Sequence, residues 1–488
     1  MGFTQTFGEA ATDGLPNCRL GMPKCYDAAA LHSSKCGNPR NRRRSVTEKM
    51  EKKLGIVSAT FLVIASMLGS GILTTSGIIV SLVKTPEALL GIWLLGGILA
   101  VLGALCYGEL IESMPHNGGE AMILRTLALP GLGEVAGITS FIVGFAACNA
   151  VSALAMADYL SEALQSDYLN PKLVACLALF VVTALHGVLG PMGLRIQTLL
   201  AIGKFTILFL LVFYGLFLAA NHFSIPLFSA DNAAMPPVSA SAWGLATMFC
   251  MFAFSGWNAV IYVAGEVNEP GKTVRRAMLL GAGIVLVLYV GLNLVLALQV
   301  PAADMDGVRP VIALLVKRMF GAEVSSVFSA LVAFALLSSL SVSAFLGPRV
   351  LATMLGWSTR LKRWSATHHE INPALIWAQM AISVFMVLTG SFVQVLTFMG
   401  FLLGLFPVLC ACGVYTARCS RPTRLSKLVR YACAPVFIAI SSGVLVLGAW
   451  HSPFEAAYAM SFLILFLLLR SARYFLENFL KSNAGKIS

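Results

Sequence analysis

Met67-Leu68-Gly69-Ser70-Gly71-Ile72-Leu73 decides the fold, because it interrupts an apolar run that extends from Leu54 to Val83. A helix that crosses a bilayer needs roughly 20 apolar residues, and its backbone N–H and C=O groups must be paired. Each glycine weakens a helix by about 1 kcal/mol, so Gly69 and Gly71 favour a break at mid-depth. Such a break is tolerated where it is buried in protein or lines a wet cavity. The alternative is a close helix–helix contact, which small-residue triplets also permit.

The composition of the chain indicates an integral membrane protein. Of its 488 residues, 58% are hydrophobic and 11% are charged, whereas soluble domains carry about 25% charged residues. Repeated apolar segments of roughly 20 residues predict a helical bundle and not a barrel of alternating strands. The sequence has no basic aromatic groove for nucleic acid, and the spacing of its 11 cysteines predicts neither a metal site nor a disulfide framework. No cofactor is expected.

Twelve transmembrane helices are predicted between a flexible cytosolic tail at 1–50 and a cytosolic tail at 474–488. The spans run over 54–83, 88–112, 132–162, 172–190, 196–220, 240–266, 276–300, 322–354, 371–390, 391–416, 430–450 and 453–473. Most of the 34 lysines and arginines fall in the tails and in the loops on one side. By the positive-inside rule, both termini are therefore cytosolic, and the net charge of +12 is a topology signal.

A second interruption lies in the sixth span, where Phe254-Ser255-Gly256-Trp257-Asn258 again brings small residues to mid-depth. Broken helices at corresponding positions of two five-helix halves are typical of inverted-repeat transporters with a site at the bilayer midplane. Close packing alone explains the pair less well. We therefore predict an all-α membrane protein in which 51–220 and 240–416 form a 5+5 inverted repeat, with helices one and six broken. Two further helices follow at 430–473.

Three stretches carry a family resemblance. They are Gly69-Ser70-Gly71-Ile72-Leu73; Tyr107-Gly108-Glu109-Leu110 with Pro115-His116-Asn117-Gly118-Gly119-Glu120; and Phe254 to Asn258, continuing to Gly265-Glu266-Val267-Asn268-Glu269-Pro270. They resemble motifs of the amino acid–polyamine–organocation (APC) superfamily, in particular its amino-acid permease and exchanger branch, which includes the L-amino-acid transporters. The resemblance covers about 54–450 and implies the LeuT-like fold. The sequence departs from the family at Ala121-Met122, where relatives usually carry an aromatic residue.

The first break offers backbone groups to an amino acid. The N–H groups of Ser70, Gly71 and Ile72, together with the Ser70 hydroxyl, can bind a carboxylate at a helix start. Carbonyl groups left unpaired by the two breaks, near Met67, Phe252 and Ser255, are expected to accept from the ammonium. The resemblance implies the same arrangement.

The second break is expected to select the side chain of the substrate. By resemblance, Phe252 is an aromatic gate over the substrate, although a core or lipid-facing aromatic is the alternative. The small pair Ser255-Gly256 leaves volume for a side chain, and Asn258 can supply a neutral hydrogen bond. Because this break contains no acidic residue, neutral amino acids are favoured over arginine or polyamines.

Lys204 is the one lysine or arginine well inside a predicted span. A charge at such depth costs about 2.5 kcal/mol or more and usually marks a functional pathway, although snorkelling to the interface is the alternative. In sodium-independent APC members, a matching lysine occupies the place of a sodium ion and ties span one to span eight. The resemblance makes serines of span eight candidate acceptors, namely Ser338, Ser339 and Ser341.

Acidic residues beside the spans are expected to form ion pairs. Glu109 and Glu120 are expected to pair with Arg125 or Arg195, and Glu266 lies near Lys272 and Arg275 as an ion-pair partner in an inner gate. Similar exchangers that pair with a single-span glycoprotein carry a cysteine in the loop after span three. The corresponding loop at 163–171 has none, which argues against a disulfide-linked heavy subunit. The sequence does not indicate an oligomeric state.

The sequence therefore predicts a secondary amino-acid transporter that works by alternating access in the plasma membrane or the bacterial inner membrane. Sodium-independent exchange of neutral amino acids is favoured, and the substrate and the lipid bilayer are the expected partners. The alternatives are a proton-coupled importer and a non-transporting amino-acid sensor on the same fold. An enzyme is not expected, because no span carries a nucleophile–base or metal constellation.

Overall fold

The structure is a computed structural model of the chain. It describes residues 54–114, 118–127, 130–166, 168–189, 192–221, 238–355, 366–367, 370–371, 373–416 and 423–484. The predicted tail at 1–50 lies outside these residues. The apolar segments fold as helices, since a helix pairs its own backbone groups without water.

Helices account for the part of the chain before the second interruption. They are α1 (Ile56–Met67), α2 (Ser70–Val83), α3 (Pro86–Ser113), α4 (Gly119–Thr126), α5 (Pro130–Thr139), α6 (Cys148–Leu164), α7 (Pro171–Leu189), α8 (Met192–Asn221) and α9 (Ala240–Ala253). A π-helical segment at Ser140–Ala147 joins α5 to α6, so that these elements form one long span.

The remaining elements are again helices, apart from one strand pair. They are a 3₁₀ helix (Ala259–Glu266), α10 (Pro270–Gln299), α11 (Ala302–Met305), α12 (Val311–Phe320), α13 (Ala322–Leu355), α14 (Pro373–Thr389), α15 (Phe392–Cys412), a 3₁₀ turn (Gly413–Tyr415), α16 (Arg424–Leu428), a π-helical turn (Val429–Cys433), α17 (Ala434–His451) and α18 (Pro453–Ala484). Strands β1 (Ala366–Thr367) and β2 (Glu370–Ile371) pair antiparallel between α13 and α14. The all-α prediction missed this small hairpin.

The helices confirm a multi-pass membrane protein. Among the described residues, eight helices are long and apolar enough to cross a membrane, and the bent pair α1–α2 adds a ninth span if counted as one. Three shorter apolar helices, at Pro171–Leu185, Ala240–Ala253 and Pro373–Thr389, lie within predicted spans four, six and nine. The count of twelve spans and the inverted repeat stay predictions. The last helix continues to Ala484, past the predicted end of its span at 473.

Capping residues fix where two of the spans begin. Thr85 precedes α3 and accepts a hydrogen bond from the N–H of Ala88, while Pro86 occupies the first helical position. Ser391 and Gln394 form a reciprocal capping box at the start of α15. Such caps satisfy backbone N–H groups that have no partner within the helix. The cap residue Ser391 lies two residues after the end of α14 at Thr389.

A buried aromatic cluster supports the middle of the bundle. Trp93 of α3 contacts Tyr289 of α10 edge-on, with ring centroids 5.5 Å apart. Phe254, in the second interruption, lies 5.8 Å from Trp93 and 5.1 Å from Tyr289. Aromatic pairs at such distances contribute about 0.5–1.5 kcal/mol beyond the burial of their area. The second interruption is therefore packed against two spans.

Candidate functional site

The first break separates α1 from α2, whose axes are bent by 43°. α1 ends at Met67, two residues before Gly69. Ser70 and Gly71 lie in the first turn of α2. Gly69 precedes α2 in an extended conformation without any side-chain cap. The first N–H groups of a helix have no intrahelical acceptor and carry a partial positive charge. Those of Ser70, Gly71 and Ile72 therefore remain available at a buried helix start.

The second break follows α9. The chain turns through residues 254–258 and resumes as a 3₁₀ helix at Ala259. Gly256 adopts φ +101°, a left-handed conformation that a residue with a Cβ atom adopts only with strain. The predicted interruption of helix six is therefore present. Ser255, Gly256 and Asn258 are half-buried there, whereas the side chain of Phe252 is buried.

The two breaks are in direct contact. A Cβ atom on Gly71 would lie 2.5 Å from Cα of Ala253, at the end of α9. A Cβ atom on Gly256 would lie 2.7 Å from the carbonyl oxygen of Ser66, near the end of α1. Each break thus uses a glycine to approach the backbone of the other, and the predicted site residues of both breaks come together.

Side chains near the first break are tied to neighbouring helices. The Ser70 hydroxyl lies 3.1 Å from the hydroxyl of Ser152 on α6. The carbonyl of Met67 accepts a 2.7 Å hydrogen bond from the hydroxyl of Tyr289 on α10. Tyr159 of α6 donates to the carbonyl of Leu73 on α2 at 2.8 Å. The end of α1 is thus held by α10 and the start of α2 by α6.

Two carbonyls at the breaks already accept hydrogen bonds, those of Met67 and Phe252. Met67 accepts from Gly69 N–H at 2.7 Å as well as from Tyr289. The carbonyl of Phe252 accepts from Ser255 N–H at 2.9 Å. Tight turns at both breaks close short hydrogen bonds that sequence spacing does not reveal. The N–H groups at the start of α2 are therefore the clearer feature of the site.

Asn258 has a partner that the sequence did not suggest. Its side-chain Nδ2 donates to Oε1 of Glu120 at 2.9 Å. The hydroxyl of Tyr107 donates to the same oxygen at 2.8 Å. None of the ion pairs between described residues includes Glu120. The side chain of Arg195 lies outside the described residues, so its pairing with Glu120 stays a prediction. Burial raises the pKa of Glu120 to about 7, while the hydrogen bonds from Tyr107 and Asn258 lower it.

The double glycine before Glu120 explains how this carboxylate reaches the break. Gly118 and Gly119, at the start of α4, adopt φ +119° and φ +61°, conformations that favour glycine. A Cβ atom on Gly119 would overlap the ring of Tyr262, on the 3₁₀ helix after the second break. The G-G-E motif therefore docks α4 against that helix. This motif was the signal that could have located the Glu120 cluster.

Lys204 joins the first break to α13. Its Nζ donates to Oγ of Ser339 at 2.6 Å and lies 3.5 Å from the carbonyl oxygen of Leu68. Ser338 instead donates to the carbonyl of Ala335 within its own helix, and Ser341 is half-buried on the same helix. The contacts therefore link spans one and eight as expected, and Ser339 supplies the hydroxyl.

A cavity of about 110 Å³ lies beside this lysine. It is lined by Leu68, Gly69, Ile72, Lys204, Phe328 and Ala335, among others. The first break thus borders an apolar cavity. The apolar lining leaves the Lys204 ammonium with Ser339 and Leu68 as polar neighbours.

Contacts close the bundle beyond both ends of the first broken span. At the start of α1, Leu54 donates to the carbonyl of Glu266 at 2.8 Å, and Arg275 pairs with Glu112 at 2.8 Å. The prediction that Glu266 is the ion-pair partner of Arg275 was wrong, because Glu112 takes that place. Lys272 lies 3.9 Å from Glu269 instead.

At the other end of α2, the segment between α11 and α12 covers the helix. Gly307 N–H donates to the carbonyl of Gly77 at 3.1 Å. Arg309 forms a 2.9 Å ion pair with Asp158 of α6 and lies over the ring of Phe392 on α15. The two breaks are thus enclosed between these two sets of contacts.

Sequence comparison identifies the family of the chain. The amino acid permease family matches residues 54–475. The chain belongs to the amino acid permease family. This permease is accordingly a multi-pass membrane transport protein and not an enzyme, as the sequence predicts, and it falls within the APC superfamily.

Named relatives of the permease are transporters. The b(0,+)-type amino acid transporter 1 of Mus musculus is 24% identical over 438 residues, which cover 88% of each chain. The large neutral amino acids transporter small subunit 2 of Homo sapiens is 27% identical over 50% of this chain and 46% of its own length. The serine/threonine exchanger SteT of Bacillus subtilis is 26% identical over 51% of this chain and 55% of its own length.

Proposed function

We propose that the permease is a secondary active transporter that exchanges neutral amino acids by alternating access, without sodium. The main support is the start of α2, which is buried, lacks a side-chain cap and touches the second break. Such a helix start favours an anionic group, because its N–H groups and the helix dipole both attract negative charge. An amino-acid carboxylate fits this place.

The proposed site binds the α-carboxylate and the α-ammonium group, which all amino acids share. The N–H groups of Ser70, Gly71 and Ile72 bind the carboxylate, and the carbonyl of Ser255 faces the ammonium. Met67 and Phe252 stay near the substrate, but their carbonyls already accept hydrogen bonds. Phe252 acts as the gate that closes over the bound substrate.

Neutral side chains suit the second break. Residues 254–258 contain no acid, and the amide of Asn258 is held by Glu120. In this arrangement Asn258 supports the shape of the pocket and offers the substrate its carbonyl oxygen rather than its donor group. The mouse, human and Bacillus relatives, named for amino acids or for exchange, support the same substrate class.

Lys204 supports the proposed sodium independence. A positive charge between Leu68 and Ser339 holds span one against span eight where a sodium ion would otherwise be needed. The Lys204 contacts of 2.6 Å and 3.5 Å support this role. We assign Ser338 no part in it, since its hydroxyl bonds within α13.

The proposed topology is a 5+5 inverted repeat of 51–220 and 240–416, followed by two helices at 430–473, with both termini in the cytosol of a plasma or bacterial inner membrane. The break in each half supports it. We propose that no heavy subunit is linked by a disulfide, because the loop at 163–171 contains no cysteine. A mobility in gel electrophoresis that is the same with and without reductant is expected.

Counterflow in proteoliposomes tests the function. Proteoliposomes that contain the purified permease are loaded with one unlabelled neutral amino acid. They are expected to accumulate labelled leucine or serine with or without sodium. Ser70→Leu should abolish this flux, because its larger side chain fills the start of α2. Gly283→Ala is the control, since nothing lies within 4 Å of the added methyl group. Binding without flux would favour a sensor, and full flux through Ser70→Leu would exclude the proposed site.

A further inference from the structure

Glu120 joins three parts of the permease through one oxygen. Its carboxylate is buried on α4. Oε1 accepts from Tyr107 of α3 at 2.8 Å and from Asn258 of the second break at 2.9 Å. Asn258 directly precedes the 3₁₀ helix, so this carboxylate holds α4 and α3 to the point where broken helix six resumes.

The groups that face Glu120 are uncharged at neutral pH. The titratable ones that interact with it electrostatically are Tyr107 from α3, Tyr262 from the 3₁₀ helix and Cys410 from α15. Phenol and thiol groups are neutral at pH 7 when unperturbed. Within the described part of the chain, the carboxylate therefore relies on neutral hydrogen-bond donors.

No ion pair between described residues brings a cation to Glu120. Arg125, on the same helix, is exposed, and none of the ion pairs between described residues joins it to Glu120. On the following helix α5, Glu134 pairs with Arg470 of α18 at 3.2 Å. A buried carboxylate without a cation is costly in its charged form. Taking up a proton removes that cost.

We propose that Glu120 is a proton-binding site of the permease, and that the proton it binds loosens the hold of α4 on the second break. A proton from water converts the carboxylate to the neutral acid, and no other bond is made or broken. The charged form accepts from Tyr107 and Asn258 more strongly than the neutral form, by about two-fold. The inference rests on the proposed transport function, because loosening of helix six then speeds the change between the two sides.

The direction of the pH effect follows from the surroundings of Glu120. Burial raises its pKa to about 7, so its charge changes around neutral pH. The exchange rate should accordingly rise as pH falls through this value. The hydrogen bond from Tyr107 lowers the pKa of Glu120. Its removal should therefore move the midpoint of the exchange rate to higher pH.

Exchange measured at equal pH on both sides of the vesicle tests the proposal. Labelled leucine and serine serve as probes between about pH 5.5 and 8.5, a range that brackets the charge change. Glu120→Gln should keep the fast rate at every pH. Tyr107→Phe should move the midpoint up by about one unit, as loss of a charge-assisted hydrogen bond implies. Tyr262→Phe is the matched control and should leave the midpoint in place, since its hydroxyl bonds Ser140.

Two results would overturn the proposal: a pH dependence that survives Glu120→Gln, or a midpoint that Tyr107→Phe does not move. A readout without transport separates this test from that of the proposed function. The ring of Trp257 packs edge-on against Tyr107, with centroids 4.8 Å apart. The Trp257 fluorescence, taken as the difference between the wild type and Trp257→Phe, should change with a midpoint near pH 7 in the detergent-purified permease. In the Glu120→Gln background the same difference should not depend on pH. A flat titration in the wild-type permease contradicts proton binding even where no flux is found.

Discussion

The Nζ atom of Lys204 lies 2.6 Å from the Oγ atom of Ser339, on a helix 135 residues further along the chain. The same ammonium lies 3.5 Å from the Leu68 carbonyl, at the end of α1. One side chain therefore connects the first helix break to α13. This relationship allows the role of Lys204 to be separated from general packing.

Replacing Ser339 should impair transport more than replacing its neighbour. Ser339→Ala removes the hydroxyl that accepts from Lys204, and hydrogen bonds to charged groups contribute about 1.5–3 kcal/mol. A loss of roughly ten-fold or more in counterflow rate is expected. Ser338→Ala is the matched control, because that hydroxyl bonds only to Ala335 of its own helix in the contacts described here. Equal rates for the two variants, or uptake by Lys204→Ala that matches the wild type, would contradict the assignment.

A methyl group at the contact between the breaks should destabilise the permease. Gly71→Ala places Cβ 2.5 Å from Cα of Ala253, so one break must shift. Overpacking of this kind costs about 1–3 kcal/mol. The expected result is a lower unfolding temperature in detergent. Gly283→Ala, where nothing lies within 4 Å, should be neutral or stabilising, since alanine favours a helix more than glycine by about 1 kcal/mol. The prediction fails if the two variants unfold alike.

Two ion pairs at the α2 end of the bundle should differ in strength. Arg309→Met leaves Asp158, whose side chain is 8% exposed, without its cation. We expect a cost of about 2 kcal/mol, below the ~3–5 kcal/mol of a fully buried pair, because Arg309 is 33% exposed. Lys84→Met removes a pair with Asp306 that is roughly half exposed on both sides, so about 0–1 kcal/mol is expected. Thermal unfolding of both variants provides the comparison, and a larger effect from Lys84→Met would contradict it.

Glu120 should also make stability depend on pH. Its pKa is raised in the folded state from 4.5 to about 7, so the folded state holds the proton more tightly than the unfolded state. The stabilisation is complete below pH 4.5 and is lost as pH rises to about 7. Glu120→Gln removes this dependence, and the variant should gain stability relative to the wild type across that window. Unfolding temperatures measured against pH will test it, and parallel curves would argue against a raised pKa.

The sequence predicts those features that depend on local composition. Glycine and serine at mid-depth predict both breaks, and the depth of Lys204 singles it out as a candidate site residue. These signals work because a bilayer penalises unpaired backbone and buried charge wherever they occur. The position of Lys204 opposite span eight came from the family resemblance.

Contacts between distant segments could not be predicted in the same way. The hydroxyl of Tyr289 reaches Met67 from a position 222 residues away, so the Met67 carbonyl is paired although its own sequence suggests otherwise. Glu120 finds Asn258 only because two glycines with positive φ bring α4 to the break. Both outcomes depend on how helices pack, which spacing along one helix does not specify.

The anchoring of the first broken span to two different helices has a mechanical consequence. Tyr289 of α10 donates a hydrogen bond to the last carbonyl of α1, while Tyr159 of α6 donates one to a carbonyl of α2. Leu68 and Gly69 lie between these two anchored half-helices. The angle between the half-helices can change at this pair while the hydrogen bonds from Tyr289 and Tyr159 are both kept.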